Sequence, residues 1–214
     1  MSPAPRWRAA ARAAGLCAAL AAAGCASETG FVQVGEQPSQ ELALRSVAVA
    51  PFRAELRADG EVLPEDAAAL VAGYVAEALA ARGLEVVPPS DVAQALARTG
   101  AEDRAAVARA VGEQFGVDAV AVGSVHRYRE RSGEALGTLD PASVGFVVRL
   151  LDVPTGRTLW SGAFDETQVA LGENLLKAPQ YPGAGTRWLS AAEFARWGAE
   201  RVVRQIPIAA TASP

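Results

Sequence analysis

Ser124, His126 and a carboxylate such as Asp152 are the residues whose types could support hydrolysis, as a nucleophile, a general base and an orienting group. His126 is the single histidine of the chain, so no other residue of its kind could be the base. Ser124 follows Gly123 but lacks the Gly-x-Ser-x-Gly turn that exposes the nucleophile of α/β-hydrolases. We therefore expect a protein that is not an enzyme, with an envelope hydrolase as the minor alternative.

A carboxylate pair and a glycine-rich segment are weaker candidates for chemistry. Asp165 and Glu166 form a carboxylate pair, but neighbours at a strand end point to opposite faces, which favours the start of a solvated loop. The glycine-rich segment 182–186 has no Lys-Ser/Thr after it and no strand-to-helix context, so it is not a phosphate loop. With one histidine and no Cys-x-x-Cys spacing, the sequence predicts no metal site and no cofactor.

Cys25 is the residue with the most specific predicted chemistry. Three arginines, an apolar run over Ala13–Leu20 and small residues up to Cys25 make residues 1–24 an export signal. The segment Leu20–Ser27 (Leu-Ala-Ala-Ala-Gly-Cys-Ala-Ser) resembles the lipobox of bacterial lipoproteins. That resemblance implies that Cys25 is lipidated and becomes the first residue of the mature chain. An ordinary signal peptide and a short membrane span are the alternatives, and the apolar run is short for a span.

The sorting of such lipoproteins depends on the residues that follow the cysteine. Here Ala26 and Ser27 follow it, without an aspartate. By resemblance to lipoprotein sorting, this pair favours the outer membrane. We therefore expect a lipid-anchored domain that faces the periplasm.

The charge of the chain limits its partners. The predicted signal contains three arginines and no acidic residue, so its removal would change the formal net charge from −4 to −7. A negative mature chain argues against nucleic acid and against anionic lipid as general partners. Cys17 would leave with the signal and Cys25 would carry lipid, so no disulfide is expected.

Aromatic residues gather in the last third of the chain, where Trp188 and Trp197 flank the start of a predicted helix. One interpretation is ordinary core that covers the open face of a hairpin, since large aromatics dominate small cores. The other is a partner-binding surface, because Trp and Arg are enriched at binding hot spots and Arg187 is adjacent. Both interpretations stay open, and Arg187, Trp188 and Trp197 are the candidate contact residues.

The pattern of apolar residues predicts one α/β domain with a mixed sheet, helices packed on it, a C-terminal β-hairpin and a terminal helix. The predicted divisions are a signal peptide at 1–24, a lipidated cysteine and flexible tether at 25–43, the α/β domain at 44–206 and a disordered tail at 207–214. The predicted strands are Arg45–Phe52 (covered on both faces), Leu84–Val87, Val117–Val125, Val144–Val153 and Thr158–Phe164. The predicted helices start at Pro64, at Ser90, at Asp103 and at Ser190, the last with a Ser190–Glu193 capping box.

Several of these segments resemble a known group of proteins. They are Ser-Val-Ala-Val-Ala-Pro-Phe at 46–52, Gly-Leu-Glu-Val-Val at 83–87, Phe-Gly-Val-Asp-Ala-Val-Ala-Val-Gly-Ser-Val at 115–125, and Leu-Asp-Val-Pro-Thr-Gly-Arg-Thr-Leu-Trp-Ser-Gly at 151–162. The order is similar to that of periplasmic lipoproteins of the curli-secretion-channel and penicillin-binding-protein-activator group, whose fold is also similar to the N-terminal domain of the Tol translocation protein. This resemblance implies a non-enzymatic domain that docks on other envelope proteins.

Two departures from that group limit the analogy. The curli channel lines its pore with long hairpins, whereas Arg127–Asp140 is short and charged, which argues against a self-made pore. Residues 164–198 look like a signature of their own, similar to uncharacterised lipoproteins of delta-class proteobacteria. We expect a binding, accessory or scaffolding subunit of an envelope assembly, with a homo-oligomeric channel subunit as the alternative.

Overall fold

The computed structural model describes residues 31–55, 62–170 and 177–209. Within them the chain forms four α-helices, a seven-stranded sheet and a separate two-stranded sheet. The strands are β1 (Val32–Val34), β2 (Ser46–Val49), β3 (Arg53–Ala54), β4 (Glu85–Val87), β5 (Ala119–Arg129), β6 (Ser132–Glu134), β7 (Gly137–Asp140), β8 (Ser143–Asp152) and β9 (Thr158–Thr167). The helices are α1 (Ala67–Ala81), α2 (Pro89–Thr99), α3 (Arg104–Phe115) and α4 (Ala191–Arg204).

The large sheet is mixed, which confirms the predicted fold class. Its strand order is β1-β9-β8-β5-β2-β4, with β3 paired to β5 outside that path. Strand β2 runs parallel to both neighbours, whereas β5, β8, β9 and β1 pair antiparallel. Parallel pairing in the first half follows from the helices that connect its strands, and the tight β8–β9 turn makes the second half antiparallel.

Strand β2 is buried on both faces, as its continuous apolar run predicts. Val47 and Val49 belong to the larger hydrophobic core with α1 and α4, whereas Ala48 belongs to a smaller one with α2 and α3. The main chain of Arg45 and Ser46 donates hydrogen bonds of 2.8 and 2.9 Å to the Asp118 carboxylate. This carboxylate joins the start of β2 to the start of β5.

Two helix starts differ from the prediction. Helix α1 starts at Ala67, so Pro64 and the two acids after it precede the first turn and do not lie in it. Helix α2 starts at Pro89 with Pro88 as its N-cap, so Ser90 lies inside the helix and does not cap it. Proline has a preset φ and no N–H to satisfy, which suits it to a first helical position.

The other two helices start as predicted. The Asp103 side chain accepts a hydrogen bond from the main-chain N–H of Ala106 and caps α3. Ser190 and Glu193 form the predicted reciprocal capping box of α4. Both caps use a side-chain oxygen to satisfy an otherwise unpaired N–H of the first turn.

The segment 127–140 differs most from its predicted form. Strand β5 continues to Arg129 instead of ending at Val125, and β6 and β7 then form a second hairpin with a two-residue turn at 135–136. Its strands are three and four residues long, which is too short for an alternating pattern to stand out in the sequence.

The predicted tether is partly wrong, because the folded part reaches further towards the N-terminus than residue 44. Phe31 is buried, and β1 pairs with β9 from Val32↔Phe164 to Val34↔Gly162. Likewise, the start of the predicted tail is ordered, since Leu42 N–H donates to the carbonyl of Pro207 at 2.7 Å and Ile208 forms a bridge with Leu42. The predicted signal peptide at 1–24, Cys25 and residues 210–214 lie outside the described residues.

None of the helices in the described ranges combines the length and the apolar composition that crossing a bilayer requires.

Candidate functional site

The three residues of the hydrolase alternative are not brought together. Asp152 pairs with Ala119 at one end of the β5–β8 ladder, whereas His126 lies beside the Arg127↔Gly145 pair near the other end. Gly145 and Asp152 are seven residue steps apart along β8, which corresponds to about 23 Å. The Asp152 carboxylate instead accepts hydrogen bonds from Thr155 in the β8–β9 turn. Asp152 is therefore not the carboxylate partner of His126.

His126 has a different acidic neighbour, Asp165. A register shift between Val125 and Arg127 makes a bulge, so that two consecutive residues of β5 face Gly145 of β8. The His126 Nε2 atom lies 3.3 Å from Asp165 Oδ2, and the Arg127 guanidinium pairs with the other oxygen. Asp165 thus lies inside β9 and not at the start of a loop as predicted. His126, Arg127 and Asp165 thus form a cluster that joins β5 to β9 across Gly145. A Cβ added at Gly145 would overlap the His126 ring.

Trp197 lies in the core. The residue is 8% exposed, and its ring contacts four other aromatic rings, with the Phe31 centroid at 4.9 Å and the Phe194 centroid at 5.8 Å. Tyr181 belongs to the same cluster, and burial raises the pKa of its phenol to about 12. The core interpretation therefore holds for Trp197, because helix α4 turns this side chain towards β9 together with Phe194.

Arg187 is a surface residue that already has a partner. Its guanidinium donates two hydrogen bonds to Glu193, at 2.9 and 2.8 Å, in the fork geometry typical of arginine–carboxylate pairs. Glu193 also accepts from the Ser190 main-chain N–H at 2.9 Å. The Arg187 hydrogen bonds, followed by that of Ser190, lower the pKa of the Glu193 carboxyl to about 2. The same carboxylate thus caps α4 and orients Arg187.

We expect the Glu193 pair to make stability depend on pH in acid. Because the folded-state pKa lies below the ordinary value of 4.5, the contribution is complete above about pH 4.5 and is lost as pH falls towards 2. The Glu193 side chain is 44% exposed, so Glu193→Gln should cost only about 1 kcal/mol at pH 7. Thermal unfolding of both proteins should differ at pH 7 and converge near pH 2. Glu77→Gln, which breaks an exposed pair with Arg196 away from a helix cap, is the matched control.

Trp188 is the candidate that the structure places at the surface. It is half-buried and is absent from the aromatic pairs of the core. Gln168, which is 2% exposed, fixes the backbone on both sides of it: its amide donates to the carbonyl of Arg187 and its oxygen accepts from Leu189 N–H. The main-chain N–H of Trp188 donates a hydrogen bond of 2.8 Å to the carbonyl of Ala135 in the β6–β7 turn. A fixed backbone presents the indole at a defined place on the surface.

The β6–β7 hairpin beside Trp188 carries two exposed leucines that the sequence analysis did not single out. Leu136 and Leu139 are each 88% exposed. Leu136 and Trp188 also line one small cavity of about 70 Å³. Two leucines in an otherwise polar segment are the only sequence signal for this surface, and a short charged connection gives no reason to expect them to be exposed together.

A groove lies on the other side of Arg187, between α1 and α4. It has a volume of about 400 Å³ and is lined by Tyr74, Pro182, Arg187, Leu189, Arg196 and Trp197 among others. The Arg196 guanidinium lies over the Tyr74 ring, 4.5 Å from its centroid. Arg187 therefore separates the α1–α4 groove from Trp188 and the hairpin.

The described residues contain no group of three or more His, Cys, Asp or Glu side chains that could hold a metal ion.

Comparison with known proteins gives a likeness of fold. No family model matches the sequence, and no curated protein matches it. Among solved structures, the PelC dodecamer from Paraburkholderia phytofirmans is similar at a TM-score of 0.52 and 17% identity, over 84% of this chain and 98% of that chain. Lipoprotein GNA1162 from Neisseria meningitidis is similar at 0.42 and 23%, over 60% and 88%. The LpoB C-terminal domain from Escherichia coli is similar at 0.41 and 20%, over 59% and 86%. The resemblance predicted from the sequence is confirmed at the level of the fold.

Proposed function

We propose that this protein is a periplasmic lipoprotein anchored in the outer membrane through Cys25, and that it acts as a non-enzymatic accessory or scaffolding subunit of an envelope assembly. Secretion, wall synthesis and transport are the classes of assembly that such a subunit serves. Its partner is another envelope protein, bound without a cofactor and without nucleic acid.

The observation that supports this proposal is the presentation of Trp188. The side-chain amide of the buried Gln168 hydrogen-bonds to the main chain of Arg187 and of Leu189. The Trp188 side chain between them is nevertheless half-buried and lies outside the core clusters. A preorganised aromatic side chain next to an arginine is the usual composition of a binding hot spot. Trp188 is therefore the proposed anchor of the partner, with Arg187 and the α1–α4 groove beside it.

Replacement of Trp188 by alanine tests this contact. We expect capture of the partner from native envelopes by the lipidated protein to fall at least about tenfold, the size of a hot-spot truncation. The melting temperature should change little, because Trp188 lies outside the core. Phe115→Ala removes a half-buried aromatic ring that packs against the smaller core, and it should leave capture intact even if it lowers the melting temperature more. Equal capture by wild type and Trp188→Ala would refute this contact.

A homo-oligomeric subunit is the second candidate, favoured by the fold shared with PelC, which is described as a dodecamer. The mass of the detergent-extracted, lipidated protein, measured by light scattering coupled to size exclusion, separates the two. A discrete ring-sized oligomer supports the second candidate, whereas a monomer or dimer supports the accessory role.

A further inference from the structure

Leu136 and Leu139 are exposed apolar side chains of the β6–β7 hairpin, whose turn at 135–136 we call the tip. Both lie on the nine-residue hairpin Ser132–Asp140, Leu136 in its turn and Leu139 on β7. Single exposed leucines are common on protein surfaces. Two leucines at 88% exposure on one nine-residue hairpin, with Leu136 beside the half-buried Trp188, give this hairpin an apolar surface that would suit an apolar environment.

The hairpin lies at the end of the sheet where the first described residue, Phe31, is placed. Arg129, Ser143 and Thr167 are paired side by side across β5, β8 and β9, and the hairpin follows directly after Arg129. At the same end, β1 begins opposite Phe164, so Phe31 lies within a few residues of Thr167. The entry of the N-terminal segment and the apolar tip therefore share one end of the domain.

The distance between the anchor and the domain is short. Six residue steps separate Cys25 from Phe31, and even fully extended they span only about 20 Å. Strand β5 alone has eleven residues and so a length of about 35 Å. A domain tethered through five intervening residues is held with the β6–β7 end towards the membrane, because its opposite end is much further from the tether.

We propose that the β6–β7 hairpin faces the bilayer and that Leu136 and Leu139 insert into its interface. This inference rests on the proposed lipid anchor. Tryptophan and leucine side chains are the usual contacts of proteins that lie on a membrane surface. The anchor supplies the affinity and a high local concentration, so the two leucines need only orient the domain. Without the anchor, two leucines are too few to hold the domain on a membrane.

Nitroxide labels on single cysteines test this orientation. In the lipidated mature chain an introduced cysteine is the only free thiol, since Cys17 leaves with the signal and Cys25 carries lipid. Leu136→Cys labels the tip, and Gln114→Cys labels an exposed position near the end of helix α3. That helix packs Gly112 against Val153, at the far end of β8. Each purified, lipidated protein is placed in vesicles of phosphatidylethanolamine and phosphatidylglycerol in equal parts.

We expect the label at 136 to collide several-fold more often with oxygen, which concentrates in lipid, than with a water-soluble nickel chelate. The label at 114 should show the reverse. A label at 136 that collides freely with the nickel chelate overturns the inference. Dipolar broadening between labels at 136 also overturns it, because the tip would then contact a second copy. Shielding of the label from both reagents overturns it as well, because the tip would then be buried against protein and not in lipid.

Two controls separate this inference from the proposed function. The intact mass of the extracted protein reports whether Cys25 carries lipid, and an unlipidated mature chain refutes the anchor and with it this orientation. A lipidated protein whose tip stays in water refutes the orientation alone. An unanchored form, made with Cys25→Ala and a conventional signal peptide, should not sediment with the same vesicles. Sedimentation of that form would show that the domain binds membranes without the anchor and would contradict an orienting role.

Discussion

Replacement of Trp197 by alanine is expected to lower the free energy of unfolding by about 3–5 kcal/mol, the usual cost of removing a large buried aromatic ring. The indole is 8% exposed and contacts Phe31, Phe164, Tyr181 and Phe194. Its loss leaves a cavity between α4 and β9 that fixed strands cannot fill. The Arg201 guanidinium, 4.8 Å from the ring centroid, would lose a cation–π partner as well.

Urea unfolding measures this loss directly, and Trp188→Ala is the matched control on the same stretch of chain. The control should cost less than about 1 kcal/mol, because surface substitutions outside such features change stability little. Comparable losses for the two tryptophans would contradict the assignment of Trp197 to the core and Trp188 to the surface. If partner capture is measured for the same two variants, Trp197→Ala reports the loss of stability and Trp188→Ala reports the loss of binding.

The division between these two tryptophans was only partly readable from the sequence. Trp197 follows Phe194 by three residues, and that spacing places both on one face of a helix. The same period could have assigned Trp197 to the core. Trp188 precedes the helix cap, where no period applies, and its position depends on Gln168, twenty residues earlier. Hydrogen bonds between a buried amide and distant main chain leave no pattern in a sequence.

The buried strands and the capped helices were predictable because their signals are local. Strand β2 has an unbroken apolar run, and Asp103 and Ser190 satisfy the N–H groups of their own first turns. Strand β1 was not predictable in the same way, because three residues at a sheet edge carry too little pattern, and its pairing with β9 joins segments more than a hundred residues apart. The predicted tether at 25–43 is therefore too long, because β1 lies within it.

The cluster of His126, Arg127 and Asp165 was likewise not predictable from local sequence. Alternation along a strand would place Ser124 and His126 on one face, but a bulge at Val125–Arg127 shifts the register. The bulge turns His126 and Arg127 together towards Asp165. His126 and Asp165 lie 39 residues apart on different strands, so the sequence gives no sign that they are neighbours. Only the register of three strands brings them into one cluster.

The segment 151–162, on which the family resemblance partly depended, has a structural role in this chain. Its turn, Pro154-Thr155-Gly156, joins β8 to β9, and the Gly156 N–H donates to the carbonyl of Asp152 at 2.8 Å. Gly156 has a positive φ of 68°. A Cβ at this position would lie 2.6 Å from the Cα of Ala105, in the first turn of α3. The turn therefore packs directly on the helix backbone.

Gly156→Ala is accordingly expected to cost about 3 kcal/mol, of which the left-handed backbone accounts for about 1–2 and the overlap with α3 for the remainder. Gly100→Ala is the matched control, since Gly100 has a nearly equal φ of 65° and open space around it. Only the backbone cost applies there. Urea unfolding of the two variants thus isolates the contact with Ala105. Equal losses would mean that the turn does not rest on α3, and that the glycine serves the hairpin alone.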